Sequence, residues 1–328
     1  MDMPTIQYCP GTLVEGHTTY SRNCLKRMFN NRKVSHILSY DSPGAGLPES
    51  QIFRDNQKRI SISGVQEKFS VLLEKNTLRL IHEGEQGAYI LKPIPNAAKR
   101  SDQMPANEHL TMQLARQVYQ IETAENALIF FKNGDPAYLT KRFDIAADGS
   151  KLAKEDFATL AGKTPQTHGA HYKYDGYYLE LFELMKTYLP AYRTEIPKLF
   201  QVLVFNYLFS NGDAHLKNFS ILETPLGDHR LSPAYDLLNT RMHVDDAVFA
   251  LDGLLSGKDG QGSIYTQFTT LADKIKLTEM QFNKIMSTML GGAEHVEQLV
   301  QASFLNEQSK RNYLQAYQRR LKRLKPNL

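Results

Sequence analysis

Asn211-Gly212-Asp213-Ala214-His215-Leu216-Lys217-Asn218, answered further along by Tyr235-Asp236, is the stretch that decides how this chain is read. Asp213 and Asn218 stand in an Asp-x-x-x-x-Asn spacing, and Asp236 follows eighteen residues after Asn218. Metal-dependent phosphoryl transfer needs these residue types in this order. A carboxylate takes the proton of the attacking hydroxyl, an amide oxygen holds one Mg²⁺, and a later carboxylate holds the metal ions that bridge the phosphates. Each piece alone has a plainer reading: Asn-Gly-Asp is a common polar turn, and Asp236 is a natural helix N-cap before Leu237-Leu238. The ordered set of three, with helix, loop and hairpin between them, favours the chemistry.

The flanking pattern supplies that frame. Pro197 to Phe209 is strongly apolar and long enough for a buried helix rather than a strand. Asn211-Gly212 offers it a left-handed stop. Phe219 to Leu222 reads as a strand, Thr224 to Asp228 as a turn and Leu231 as the start of a return strand, which brings Asp236 back beside Asp213 and Asn218.

The upstream half holds groups suited to a nucleotide. Arg59 to Lys68 is a small polar loop with Ser61, Ile62, Ser63 and Gly64, leading into an apolar strand from Phe69 to Leu73. Its backbone N–H groups can wrap phosphates, although read alone it is a strand entry with two exposed serines. Ala88 to Pro93 reads as a strand ending in Lys92, a solvated lysine by default and a phosphate-neutralising lysine in a kinase. Pro105 to Leu110 opens a helix in whose first turn Glu108 either meets the helix dipole or pairs with Lys92. Ala127 to Phe131, an Asn133-Gly134 turn and Ala137 to Thr140 form a hairpin running into a hinge at Lys141-Arg142-Phe143-Asp144.

Taken together, the Ile60–Lys68 loop, Ile90-Leu91-Lys92-Pro93, Asn107-Glu108, Lys141-Arg142-Phe143-Asp144, Glu155-Asp156-Phe157 and the Asn211–Asn218 stretch resemble the HipA family of bacterial serine/threonine kinase toxins. The resemblance runs from about Ile60 to Asp236. It implies an α+β, bilobal protein-kinase-like fold, with a β-rich N-lobe over residues 1–145 and a mainly helical C-lobe over 146–328. It implies ATP and Mg²⁺ as cofactors, Asp213 as catalytic base, and Asn218 and Asp236 as metal ligands. The nucleotide-binding set would be Ser61, Ile62, Ser63, Gly64, Lys68, Lys92, Lys141, Arg142, Phe143, His215, Asn218 and Asp236. Lys141 departs from the acidic residue a hinge of this family can carry, which leaves backbone recognition of adenine but puts side-chain contacts in doubt.

The Tyr20–Phe29 segment and the Ser61-Ile62-Ser63 pair resemble the short HipT form, in which a missing N-terminal subdomain is a separate protein, HipS. The implied substrate is an aminoacyl-tRNA synthetase, the tryptophanyl enzyme before the glutamyl one, whose phosphorylation inhibits translation and arrests growth. The implied partners are a HipB-like helix-turn-helix antitoxin, DNA reached through it, and a HipS-like protein. Ser61 and Ser63 become autophosphorylation sites. A phosphoserine adds about −1.5 to −2 charges at pH 7, so it would repel ATP from the loop. The rival readings are a small-molecule kinase on a related fold and a non-catalytic pseudokinase scaffold for a DNA-bound antitoxin.

Composition fits without deciding. The 328 residues are 41% apolar and lack any run of membrane-spanning length or a signal-peptide pattern, so a cytoplasmic protein is expected. Cys9 and Cys24 are too few for a disulfide scaffold or a zinc site. The net charge of +4 hides a basic C-terminal end, Lys310 to Lys325, on a helix whose apolar face carries Leu314, Tyr317, Leu321 and Leu324. That is by default a solvated face, with contact to nucleic acid as the rival. Further helices are expected at Tyr178–Tyr188, Thr278–Leu290 and Gln308–Leu324, a short one at Lys154–Leu160, and a mobile glycine-rich loop from Asp252 to Gly262.

Overall fold

The computed structural model describes residues 6–43, 67–95, 99–245 and 247–326. Ser61, Ile62, Ser63 and Gly64 lie outside the described residues.

Strands β1 (Phe69–Glu74), β2 (Thr77–Leu80), β3 (Tyr89–Lys92), β4 (Asn126–Phe130) and β5 (Pro136–Lys141) form an antiparallel sheet in the order β2-β1-β3-β5-β4. The expected hairpin is β4–β5, with Ile129 opposite Ala137 and Gly134 in the left-handed region of its loop. Strand alternation sorts the sheet's side chains. Phe69, Leu91, Ala127, Ile129 and Leu139 face a small core closed by helix α1 (Arg22–Phe29), which buries the free thiols of Cys9 and Cys24. Leu128 and Tyr138 face the other way, onto helix α2 (Met104–Gln117) and the main core. Lys92, one residue after Leu91, necessarily points towards α2.

The remaining chain is mostly helical: short α3 (Phe157–Leu160) and α4 (Pro165–His168), then α5 (Tyr178–Tyr188), α6 (Tyr192–Leu208), α7 (Ile264–Lys274), α8 (Glu279–Gly291), α9 (Ala293–Ala302) and α10 (Glu307–Leu324). A three-stranded antiparallel sheet, β6 (Lys154–Asp156), β7 (Ser220–Glu223) and β8 (His229–Leu231), stands among them. The expected return hairpin is β7–β8, with Ile221 opposite Leu231. Helix α6 lies at the centre of the main core, burying Leu199, Phe200, Leu203, Val204, Phe205 and Leu208.

Several expectations need correction. Helix α6 begins at Tyr192, before Pro197. Pro197, the sixth residue, lies past the first turn and removes one intrahelical bond, the one an N–H there would give to the Arg193 carbonyl. Its left-handed stop is Ser210, at φ 55°, and not Gly212. Lys154–Leu160 divides into β6 and α3, because the Asp156 carboxylate accepts the Thr159 N–H and so caps a helix that cannot start earlier. Asp252–Gly262 is anchored rather than loose: Leu254 and Leu255 are buried, and the Gly253 carbonyl accepts the N–H of Tyr178. On α10 the buried face is Tyr313, Tyr317, Arg320 and Leu324, with Leu314 and Leu321 only half-buried.

Candidate active site

Lys92 ends β3 on the α2 side of the sheet, only 3% exposed. Its ammonium lies 2.7 Å from Glu108 Oε1 and 2.5 Å from Asp236 Oδ1, with the Tyr138 ring 5.3 Å away. Helix α2 starts at Met104, so Glu108 sits beyond its first turn, where the dipole has little hold; the ion pair is what accounts for it. Burial disfavours the charged lysine, but Asp236 and Glu108 outweigh it and keep Lys92 protonated well past its usual range.

Asp236 occupies the left-handed region at φ 55°, which aspartate tolerates better than most residues. Its Oδ2 receives Asn218 Nδ2 at 3.3 Å and faces Lys68 Nζ at 3.6 Å. Burial alone would raise its pKa, yet Lys68 and Lys92 hold it far below the carboxylate range. The segment after it is clamped by Asn107, fully buried on α2. This amide donates to the Asn239 carbonyl at 2.9 Å, accepts the Asn239 N–H at 3.1 Å and meets His243 Nε2 at 2.8 Å.

Asp213 projects from the turn after α6. Thr240 Oγ1 ties that turn, accepting from Gly212 N–H at 2.9 Å and donating to the Ser210 carbonyl at 3.0 Å. The Asp213 carboxyl is 49% exposed, and Tyr174 donates its hydroxyl to Oδ1 at 2.7 Å. Partial withdrawal from water raises its pKa, against the opposing pull of the Tyr174 hydrogen bond and Lys173. His215 is buried edge-on against Tyr174, and burial lowers its pKa to about 3, so the ring is neutral. Lys68, Lys92, Asn218 and Asp236 are therefore gathered together, with Asp213 and His215 beside them.

Residues 60–297 match the family of the HipA-like C-terminal domain. The chain belongs to this family. Two proteins of Sinorhizobium fredii, Y4mE and Y4dM, both named as candidate kinases, are 32% and 30% identical over 57% and 69% of this chain. The chain spans about half the length of these relatives, 44% and 56% respectively. A Haemophilus influenzae protein, also named as a candidate kinase, is 24% identical over 81% of this chain and 82% of its own length. Among solved structures, the Shewanella oneidensis toxin–antitoxin complex of HipA, HipB and operator DNA matches with a TM-score of 0.61 at 20% identity, over 86% of this chain and 73% of that one. The Helicobacter pylori proinflammatory kinase CtkA matches at 0.52 and 13%, over 77% and 92%. At such identities the likeness is one of fold, and it agrees with the mixed architecture described above.

In the Lys141–Asp144 segment expected to be the hinge, Arg142 forks onto Asp144 at 2.9 and 2.6 Å, and Lys141 reaches Asn30 at 3.1 Å. The N–H groups of Lys141 and Arg142 donate to the carbonyls of Glu125 and Ala88, so as they stand neither is offered to a ligand. Phe143 packs against Tyr235 with centroids 5.6 Å apart, and Lys154 lies over both rings.

Asn218 and Asp236 present oxygens of the kind Mg²⁺ takes. Among the described residues no group of three or more His, Cys, Asp or Glu side chains could hold a metal, so a cation here would complete its shell with water or phosphate oxygens. Asn218 Oδ1 accepts the His215 N–H at 3.2 Å; a half-turn of the amide would bring its oxygen to the Asp236 side. Three features escaped the sequence reading: Tyr174 on Asp213, Lys154 over the rings of Phe143 and Tyr235, and the clamping function of Asn107. Asn107 left a trace as neighbour of Glu108; Lys154 opens the expected short helix with no role attached to it, and Tyr174 sits in a segment without periodicity.

Proposed function

We propose that this chain is an ATP- and Mg²⁺-dependent protein serine/threonine kinase. The observation that carries the reading is the convergence of Lys92, Asn218 and Asp236 from three separate elements, with Asp213 beside them. Lys92, held charged and aimed by Glu108, would meet phosphate oxygens once ATP brings its own counter-charge to Asp236. Asn218 and Asp236 would hold the metal, which when bound neutralises charge on the phosphates. Asp213 would orient the acceptor hydroxyl and accept its proton, a task suited by a raised pKa. Phe143 and Tyr235 offer the aromatic wall for adenine.

The family and the Shewanella complex support a toxin restrained by a HipB-like antitoxin, which would bring it to DNA. The short Tyr20–Phe29 and Ser61-Ile62-Ser63 features support the HipT form with a HipS-like partner, inhibitory autophosphorylation at Ser61 or Ser63, and an aminoacyl-tRNA synthetase substrate, tryptophanyl before glutamyl. The lobes would divide near residue 145. No helix among the described residues is long and apolar enough to cross a membrane, which suits a cytoplasmic target.

The test is transfer of γ-labelled phosphate from ATP in bacterial lysate, with phosphopeptide mapping, for the wild type, Asp213→Gln and Asp236→Gln. Label on one synthetase band and on the Ser61–Ser63 loop, lost in both folded variants, is the expected result. Label confined to small metabolites would move the assignment to a small-molecule kinase. ATP binding with no transfer to any acceptor would leave the scaffold reading.

A further inference from the structure

Behind the turn that carries Asp213 lies a cavity of about 300 Å³ with no carboxylate among the described residues that line it. Arg100, Arg241, Arg319, Arg320 and Arg323 line it, together with Asn239. The arginines in ion pairs among the described residues are Arg27, Arg79, Arg116, Arg142 and Arg230, none of which belongs to this group. Two of the lining side chains are buried and short of partners. Arg320 is 3% exposed, with Nη2 unbonded, and Asn239 is 1% exposed, with both amide atoms unbonded. Burying a guanidinium among like charges, with donors unspent, is costly unless an anion completes the site. Forked guanidinium donors fit the oxygens of a phosphate better than those of any neutral ligand.

We propose that this arginine cavity is a binding site for a phosphorylated small molecule, and that its occupancy is felt by the Asp213 turn. The organic part has room next door: a cavity of about 530 Å³ shares Arg320 and Arg323 and is lined by Tyr207, Phe249 and Ile264. The coupling runs through Arg320, whose Nε lies 3.4 Å from Ser210 Oγ, three residues before Asp213, and whose guanidinium stacks over Tyr207 at 4.8 Å. An anion drawing on Arg320 tightens or releases the left-handed Ser210. A nucleic-acid backbone suits the site less well, because its phosphates lie on a convex surface and Arg320 is sunk below the protein's own.

Inorganic phosphate is the probe, followed by thermal unfolding, calorimetry and amide exchange, with chloride at matched ionic strength as control. The exposed pair Arg241→Ala/Arg319→Ala should keep the fold; Arg320→Lys keeps the charge but loses the fork. The expected result is saturable stabilisation by phosphate, slowed exchange at Ser210–Asp213, and binding weaker by about tenfold or more in the double variant. Glucose 6-phosphate binding tighter than phosphate would identify the phosphorylated-metabolite source; equal affinity would reduce the ligand to free phosphate and overturn the small-molecule part. Chloride acting equally, or a double variant binding phosphate as well as the wild type, would overturn the site. Displacement of phosphate by a short DNA duplex, with the same sensitivity to the variants, would make this a nucleic-acid surface instead. None of these readouts depends on kinase turnover, so failure of the kinase assignment would leave the result standing.

Discussion

The two sides of the Ser210–Thr240 region carry charge in opposite ways. On the active-site side, buried Lys92 has two carboxylates within 2.7 Å, and Asp236 has two lysines and an amide. On the far side five arginines gather with no carboxylate among the described lining residues. The first arrangement is balanced in charge within the protein alone. The second is a field awaiting an anion. Similar cations thus serve a charge-balanced centre on one side and a receptive one on the other.

The sharpest way to break this contrast is to remove one cation from each side. Lys92→Met strands Glu108 as a buried unpaired charge and should cost about 3–5 kcal/mol in urea unfolding. A loss under ~1 kcal/mol would mean that Glu108 is already neutral. Asn107→Ala strips the clamp from Asn239 and should cost about 1–3 kcal/mol by the same measurement. Acid unfolding sharpens the charge assignment. Asp236 has a folded pKa far below its unfolded one. Its contribution is therefore fully present above the unfolded value, near pH 4, and is lost as pH falls towards the folded value. Asp236→Asn should flatten that part of the stability profile. Arg320→Met, in phosphate-free buffer, should be neutral to stabilising in the same urea unfolding, since it removes a buried charge that has no counter-ion there. Smallest is Asp213, whose pKa is raised: ionisation slightly penalises the fold, so Asp213→Asn should be neutral to mildly stabilising at pH 7 and indistinguishable from wild type in acid.

Much of this was legible in the sequence because it rests on short-range chemistry. The β4–β5 hairpin follows from Asn133-Gly134 between apolar runs, and α5 from its periodicity. Lys92, Asn218 and Asp236 could be chosen by residue type and order. The Lys92–Glu108 contact stayed undecided because a helix start displaced by one residue changes what a carboxylate there means. The helix stop was misplaced from Ser210 to Gly212 because local preference favours glycine, whereas the Thr240 bonds that hold the turn come from thirty residues away. The arginine cavity was hidden in plain view: the basic run of α10 looked like a solvated face, and only the fold turns Arg320 inward to meet Arg100 and Arg241.

Tyr174 deserves a last consequence. Its phenol already holds Oδ1 of the proposed base, as a tethered alcohol in the place a substrate hydroxyl would take. Under the proposed kinase reading, water would have to displace that phenol one weak contact at a time, whereas a docked protein substrate would bring its hydroxyl with binding energy to spend on the exchange, and little ATP would be wasted at rest. The same residue would set the threshold between standing by and acting.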